Sequence, residues 1–221
     1  MATDGPAPGE AHRIRLSFAA TIAGITLYVV LDAIAQSLPP HYSPISQAES
    51  DLAVGPYGYV MAANFVNRGL FSILFLYGLA RSVPSMEAFR TGLGLLGVWA
   101  VGALILAASP TDVSGPATVH GVVHLVVATL AFLGAAAGTV YLSRAFRRDP
   151  GLKAVGRYSM PLAVLALVFF FVLYGGPVVF PHAAARVGGL VERVFIGLVL
   201  AWMLTVSALL FRRPVRPVAA P

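Results

Sequence analysis

The chain has 221 residues, of which 58% are hydrophobic and only 11% are charged. Soluble domains carry about 25% charged residues, so this composition excludes an ordinary globular protein. The net charge of +6 does not indicate nucleic acid, because the basic residues cluster in short connections between apolar runs. The chain has no cysteine, which excludes thiolate metal sites and cysteine catalysis. We therefore expect membrane lipid as a partner, and no nucleic acid.

Apolar runs long enough to cross a hydrocarbon core of about 30 Å recur along the whole chain. The predicted spans are residues 16–38, 59–80, 91–108, 118–143, 160–174 and 189–211. They predict an all-α, polytopic protein of the cell membrane, a six-transmembrane-helix bundle that forms a single domain over residues 14–213. Residues 1–13 are predicted to be a mobile cytoplasmic tail, and residues 214–221 a second cytoplasmic tail.

Polar residues mark the first two spans. Tyr28, Asp32 and Gln36 recur every fourth residue in the first span and so form a stripe on one helical face. In the second span, Asn64, Asn67 and Arg68 form a polar face of the helix. Between the two spans, Ser46 and Glu49 match the S-x-x-E capping box, which predicts a short surface helix that begins near Ser46.

The fourth span combines an acidic turn with two histidines. Asp112 lies in the turn, and His120 and His124 are four residues apart, so they share one face of the helix. Two such imidazoles are a common start for a zinc site, which would need a third ligand from elsewhere in the chain. Residue 121 is Gly, so the general base of the H-E-x-x-H motif is absent.

The last two spans are separated by an apolar, Gly- and Pro-rich segment. Residues 175–182 are predicted to dip into the membrane interface. The sixth span begins with the adjacent pair Glu192 and Arg193.

The distribution of basic residues predicts the orientation. The N-terminal segment, the second and fourth connections and the C-terminus together hold twelve of the fifteen Lys and Arg residues. Cytoplasmic segments carry this excess, so both termini are predicted to be cytoplasmic.

With this orientation the polar residues of the spans lie in one leaflet. At a rise of about 1.5 Å per residue, Asp32 lies roughly 9 Å and Arg68 roughly 14 Å below the extracytoplasmic surface. His120, His124, Glu192 and Arg193 lie in the first turns of inward-running helices. Charges inside a bilayer are costly, so these residues should face the bundle interior. Three roles are open to them there: they form structural pairs between helices, line a ligand or transport cavity, or hold a metal ion. We expect Arg68 to be neutralised by Asp32, Glu192 or both.

The order of several motifs resembles a known family. These motifs are YSPISQAESDLAVGPYG after the first span, N-x-x-N-R in the second, SPTD before the fourth, G-x-x-H-x-x-x-A-x-x-A-F within it, and E-R in the sixth. Their order is similar to that of the bacterial integral-membrane family called domain of unknown function 998. The resemblance implies a six-helix membrane protein and supplies no accepted activity. The grouped histidines are also loosely similar to those of intramembrane zinc hydrolases of the alkaline ceramidase and adiponectin receptor type.

The sequence thus predicts an integral membrane protein with a buried polar site that opens to the extracytoplasmic leaflet. Its candidate ligand-binding residues are Asp32, Asn64, Asn67, Arg68, Asp112, His120, His124, Glu192 and Arg193. The main hypothesis is that it binds a lipid or small ligand, or is a subunit of a membrane assembly, as an oligomer or with a membrane-protein partner. The alternative is a metal-dependent intramembrane hydrolase that acts on lipid, with zinc at His120 and His124.

Overall fold

The computed structural model describes residues 8–83 and 86–213, which form six α-helices, one short 3₁₀ helix and no β-strand. The α-helices are α1 (Pro8–Ser37), α2 (Gly58–Ser82), α3 (Glu87–Ala108), α4 (Val119–Arg148), α5 (Lys153–Val179) and α6 (Pro181–Phe211). The 3₁₀ helix, Glu49–Ala53, lies between α1 and α2. All six α-helices are long and apolar enough to cross a membrane. The prediction of an all-α, six-helix membrane bundle is therefore confirmed.

The helices pack in chain order. Each helix contacts the next one along the chain, and α6 also contacts α1, which closes the bundle. The last helix reaches α2 and α4 as well, so it is the most central of the six. Because consecutive membrane-spanning helices run in opposite directions, the start of α2, α4 and α6 lies at the same end of the bundle as the end of α1, α3 and α5.

Aromatic side chains fill the interior, and Trp202 is the largest of them in α6. Its ring lies 5.7 Å from the ring of Phe75 and 6.3 Å from that of Phe146, measured between centroids. The indole Nε1 donates a hydrogen bond of 2.8 Å to Ser143 Oγ, which lies 3.0 Å from Ser159 Oγ. A buried indole N–H needs such a partner, so this chain of bonds ties α4, α5 and α6 together.

The ends of three helices differ from the sequence prediction. Residues 8–13, assigned to a mobile tail, form the first turns of α1, where Glu10 pairs with Arg81 at 3.5 Å. Residues 1–7 and 214–221 lie outside the described residues. At 175–182, where a dip into the membrane interface is predicted, α5 continues to Val179 and α6 begins at Pro181, and the dip itself stays a prediction. Proline has no backbone N–H, and it is tolerated at Pro181 because the N–H of the first residue of a helix makes no hydrogen bond within that helix.

The orientation of the bundle remains a prediction, and the absence of native cysteine makes it simple to test. We expect a cysteine placed at the exposed Ser114 to react with an impermeant thiol reagent added to intact cells, and one at the exposed Ala154 to react only after lysis. The Lys and Arg distribution is the reason for this expectation. The opposite labelling pattern would reverse the predicted orientation.

Candidate functional site

Arg68 is the most unusual residue of the bundle, because its charge is buried without a close carboxylate. Its side chain is 1% exposed, and its guanidinium carbon lies 4.4 Å from the Trp99 ring and 5.0 Å from the Phe65 ring. Neither Nε nor Nη2 has a hydrogen-bond partner among the described residues. The two aromatic faces stabilise the cation, but they leave its N–H donors unused.

The predicted pairing of Arg68 with Asp32 or Glu192 is therefore wrong as a direct contact. Within the described ranges, the ion pair between Glu10 and Arg81 is the only one closer than 4.0 Å. Asp32 instead accepts a hydrogen bond from Gln36, one turn along α1, and its nearest cationic influence is Arg193. Helical spacing fixes which residues share a face, but not which of several facing charges come into contact.

Two glutamates meet near Arg68, one from the 3₁₀ helix and one from α6. The backbone N–H of Glu49 donates a 3.0 Å hydrogen bond to Glu192 Oε2, and the Tyr28 hydroxyl donates to Glu49 Oε1. Burial, reinforced by the nearby Asp32, raises the pKa of Glu49 to about 8, despite the opposing influence of Arg68. Glu49 is therefore mostly protonated at neutral pH.

Arg193 attaches the α1–α2 connection to α6. Its Nη1 donates hydrogen bonds of 3.0 Å to the carbonyls of both Pro44 and Gln47, and its Nη2 donates to the Tyr42 hydroxyl. We call residues 42–53 the strap, because they cross the end of the bundle against α6. The predicted capping box is wrong: Ala48 occupies the N-cap position of the 3₁₀ helix, and Glu49 turns inward instead of capping.

A glycine in α6 allows the strap to approach. A Cβ atom on Gly189 would lie 2.0 Å from the carbonyl oxygen of Gln47, so any larger residue would displace the strap. The N–H of Leu190 donates to the carbonyl of Ile45 at 2.9 Å instead of bonding only within the helix. The strap is therefore a fixed wall of the site.

His124 forms another part of this wall. The buried imidazole lies with Nδ1 2.7 Å from the carbonyl oxygen of Ser109. Because a carbonyl only accepts hydrogen bonds, Nδ1 must carry the proton. Nε2 is then the ring nitrogen that remains for a ligand.

These residues surround a pocket of about 270 Å³ between the strap and α2, α3, α4, α5 and α6. We call it the polar pocket. Its polar wall consists of Glu49, Ser50, Asp51, Arg68, Thr111, His124, Tyr174 and Glu192. Its apolar wall includes Phe65, Leu106, Phe132 and Ile196. Of the nine candidates from the sequence, the structure brings Arg68, His124 and Glu192 together in this pocket.

Two other candidates connect helices outside the pocket wall, and a third lies on α1. Asn64 Nδ2 donates a 3.1 Å hydrogen bond to the carbonyl of Tyr28, and Asn67 Nδ2 donates a 2.9 Å bond to that of Gly24. These bonds join α2 to α1, as polar side chains often do between membrane helices. Asp32 lies beside them on α1, half-buried. Their role in the structure is to position the face of α2 that carries Arg68.

Asp112 and His120 lie away from the pocket, on the exposed side of the α3–α4 connection. Asp112 accepts two hydrogen bonds of 2.8 Å from Thr118, whose hydroxyl in turn caps α4 at Gly121. These bonds lower the pKa of Asp112. Its contacts are thus those of a helix cap.

The zinc hypothesis finds no support in this arrangement. His120 is exposed whereas His124 is buried, and Nδ1 of His124 is already bound to Ser109. Across residues 8–83 and 86–213, no three His, Asp or Glu side chains are grouped as metal ligands. A zinc hydrolase needs three protein ligands and an open position for water, so the hydrolase alternative finds no support either.

Sequence reasoning missed Glu49 and Asp51 as pocket residues. Asp51 is half-buried at the polar pocket, and its burial raises the pKa of its carboxyl. The sequence feature that points to them is that both acidic residues lie in the connection that directly follows the polar stripe of the first span. The capping-box pattern predicts a local role for Glu49, whereas the tertiary contact with Tyr28 determines where its carboxyl lies.

The fold and the pocket together define a multi-pass, six-helix membrane protein with a buried polar site. A family model described as "Protein of unknown function (DUF998)" matches residues 22–209, so the chain belongs to this family. The suspected family is thus confirmed. No curated protein and no solved structure matches the chain.

Proposed function

We propose that the protein binds a membrane lipid by its headgroup in the polar pocket. The observation that carries this proposal is Arg68, a fully buried cation in the pocket wall with unused N–H donors. Buried donors are almost always satisfied in folded proteins, and an unpaired buried charge is especially costly. A ligand oxyanion would supply the missing acceptor, and phosphate matches the geometry of a guanidinium.

A neighbouring groove favours a lipid over a small soluble ligand. The groove has a volume of about 520 Å³, lies between the end of α5 and the start of α6, and is mostly apolar. Ala48, Leu173 and Glu192 line both the groove and the polar pocket. Ligand pockets usually measure about 300–1,000 Å³, so the polar pocket suits a headgroup and the groove suits part of an acyl chain.

The carboxylates of the pocket suggest which headgroup it accepts. The half-buried Asp51 lies in the same wall as Arg68, whereas Glu49 is mostly uncharged at neutral pH. A lipid with both a phosphate and an amine would satisfy charges of both signs, and a second negative charge would be repelled. We therefore favour a phosphatidylethanolamine-like headgroup. In the predicted orientation, it would come from the extracytoplasmic leaflet.

A variant that fills the pocket without changing any charge tests this function. Ala128 lines the polar pocket, so Ala128→Phe should block it. Leu130 lies on the same helix, is exposed, and does not line the pocket, so Leu130→Phe is the matched control. Phosphatidylethanolamine at about a hundredfold excess over its dissociation constant should stabilise the wild type by about 2.7 kcal/mol. That is on the order of 5–10 °C in melting temperature.

We expect Ala128→Phe to lose this gain in detergent and Leu130→Phe to keep it. The part of the stabilisation that Ala128→Phe removes should be smaller for phosphatidylglycerol than for phosphatidylethanolamine, because only that part reports on the polar pocket. An equal gain in the wild type and Ala128→Phe would mean that lipid acts elsewhere on the protein and would refute the proposal.

A further inference from the structure

A second pocket, with different chemistry, lies at the other end of the bundle. It has a volume of about 540 Å³ and is located where α4 ends and α5 begins. Its lining residues are Arg147, Lys153, Gly156, Arg157, Met160 and Pro161. We call it the basic pocket, because three of the six carry positive charge and none is acidic.

The backbones of the two helices are packed closely at the basic pocket, and the three cationic side chains extend from them exposed. A Cβ atom on Gly156 would lie 2.6 Å from the backbone nitrogen of Arg147, so the start of α5 packs directly on the last turn of α4. Lys153 and Arg157 are four residues apart on α5 and so share one face. The basic pocket is therefore part of the helical framework and not of a long connection.

The electrostatics of the basic pocket favour an anion. The only carboxylate in the α4–α5 turn, Asp149, accepts a 2.7 Å hydrogen bond from the N–H of Gly151 within that turn. The helix α5 begins at Lys153, and the helix dipole places a partial positive charge at this N-terminus, in addition to the three cations. The three side chains thus have no acidic neighbour within the pocket wall.

The apolar part of the wall indicates where that anion comes from. Met160 and Pro161 continue the pocket along α5 toward its membrane-spanning part. A free anion would have no use for this apolar surface, whereas a lipid would place its glycerol and first methylene groups there.

We propose that the basic pocket binds the phosphate of an anionic phospholipid such as phosphatidylglycerol. Arg147 and Arg157 hold the phosphate oxygens with their guanidinium groups, and Lys153 adds a third charge. This site is independent of the polar pocket, which lies at the opposite helix ends and contains carboxylates.

The test compares two double variants with the same change in charge. Arg147→Gln with Arg157→Gln removes two exposed cations that line the basic pocket, whereas Arg144→Gln with Arg148→Gln removes two equally exposed cations of the same segment that do not line it. Binding of short-chain phosphatidylglycerol to the purified full-length protein is measured in a neutral detergent. Phosphatidylcholine and inorganic phosphate serve as the two comparison ligands.

We expect phosphatidylglycerol to bind the wild type more tightly than either comparison ligand. A cation near an anionic lipid contributes about fivefold in affinity, so the first double variant should lose about 25-fold and the second less than fivefold. Equal losses in both variants would mean a diffuse surface effect and would overturn the proposal. Binding of inorganic phosphate as tight as that of the lipid would overturn the assignment to lipid. Neither double variant should change phosphatidylethanolamine binding at the polar pocket.

Discussion

Replacing Arg68 by methionine should abolish lipid binding at the polar pocket without unfolding the protein. Removing one member of a desolvated charge pair typically costs about 2–5 kcal/mol in binding, which is at least about 30-fold in affinity. The ligand-free protein should be at least as stable, because the unused Nε and Nη2 donors disappear with the guanidinium. Each unsatisfied buried donor destabilises the folded protein by about 1–3 kcal/mol, whereas a desolvated cation–π contact stabilises it by about 2 kcal/mol.

Arg193→Met is the matched comparison, because Arg193 is the other arginine at this end of the bundle with a largely covered side chain. Its Nη1 and Nη2 are hydrogen bonded to the strap and to Gly189, so this variant should lower the melting temperature in detergent. If Arg68→Met instead unfolds the lipid-free protein while Arg193→Met does not, Arg68 is a structural residue. The lipid proposal would then lose its main support.

Stability should fall as the pH rises from about 4.5 to 8, and Glu49 should be the largest single contributor to this change. Burial raises the pKa of Glu49 from its ordinary value of 4.5 to about 8, with the nearby acidic Asp32 and Glu192 adding to the effect and Arg68 opposing it. The folded state therefore keeps a proton that the unfolded state releases, so this contribution is complete below pH 4.5 and is lost by pH 8. At about 1.36 kcal/mol per pH unit, the whole range is on the order of 4–5 kcal/mol.

Glu49→Gln should weaken this dependence, because the neutral amide mimics the protonated carboxyl. Melting temperatures measured between pH 5 and 8 should fall for the wild type and fall clearly less for the variant. Glu87→Gln changes an exposed glutamate at the other end of the bundle and should leave the pH profile of the wild type unchanged. A wild-type profile that is flat, or that rises with pH, would show that Glu49 is ionised in the folded protein.

The membrane architecture could be predicted because bilayer thickness sets the length of an apolar run. Arg68, His124 and Glu192 were placed at one end of the bundle by counting residues along antiparallel helices, and all three do line one pocket. Helix length and periodicity are sufficient to predict which residues lie at the same end of the bundle. They could not show that α6 begins at Pro181, because residues 181–187 are mostly exposed and so have no buried face that a sequence pattern could mark.

The partners of the charged residues were harder to predict. Helical spacing suggested that Arg68 meets Asp32 or Glu192, but the contacts depend on rotamers and on the strap, which has no periodic pattern. Glu49 was read as a local cap although its carboxyl is buried against Tyr28, 21 residues earlier. Asp112 was assigned to the buried site, although its partner Thr118 is only six residues away. Short polar side chains are ambiguous in this way, because the same residue suits a cap and a site.

Native mass spectrometry of the protein released from detergent micelles would test the central claim most directly. The measurement should use the double variant Arg147→Gln, Arg157→Gln as its background, so that lipid bound at the basic pocket is not counted. We predict that one phosphatidylethanolamine molecule stays bound in this background, and that it is lost when either Arg68→Met or Ala128→Phe is added. Retention of the same lipid after both additions, or no retained lipid even when phosphatidylethanolamine is supplied in excess, would contradict the account.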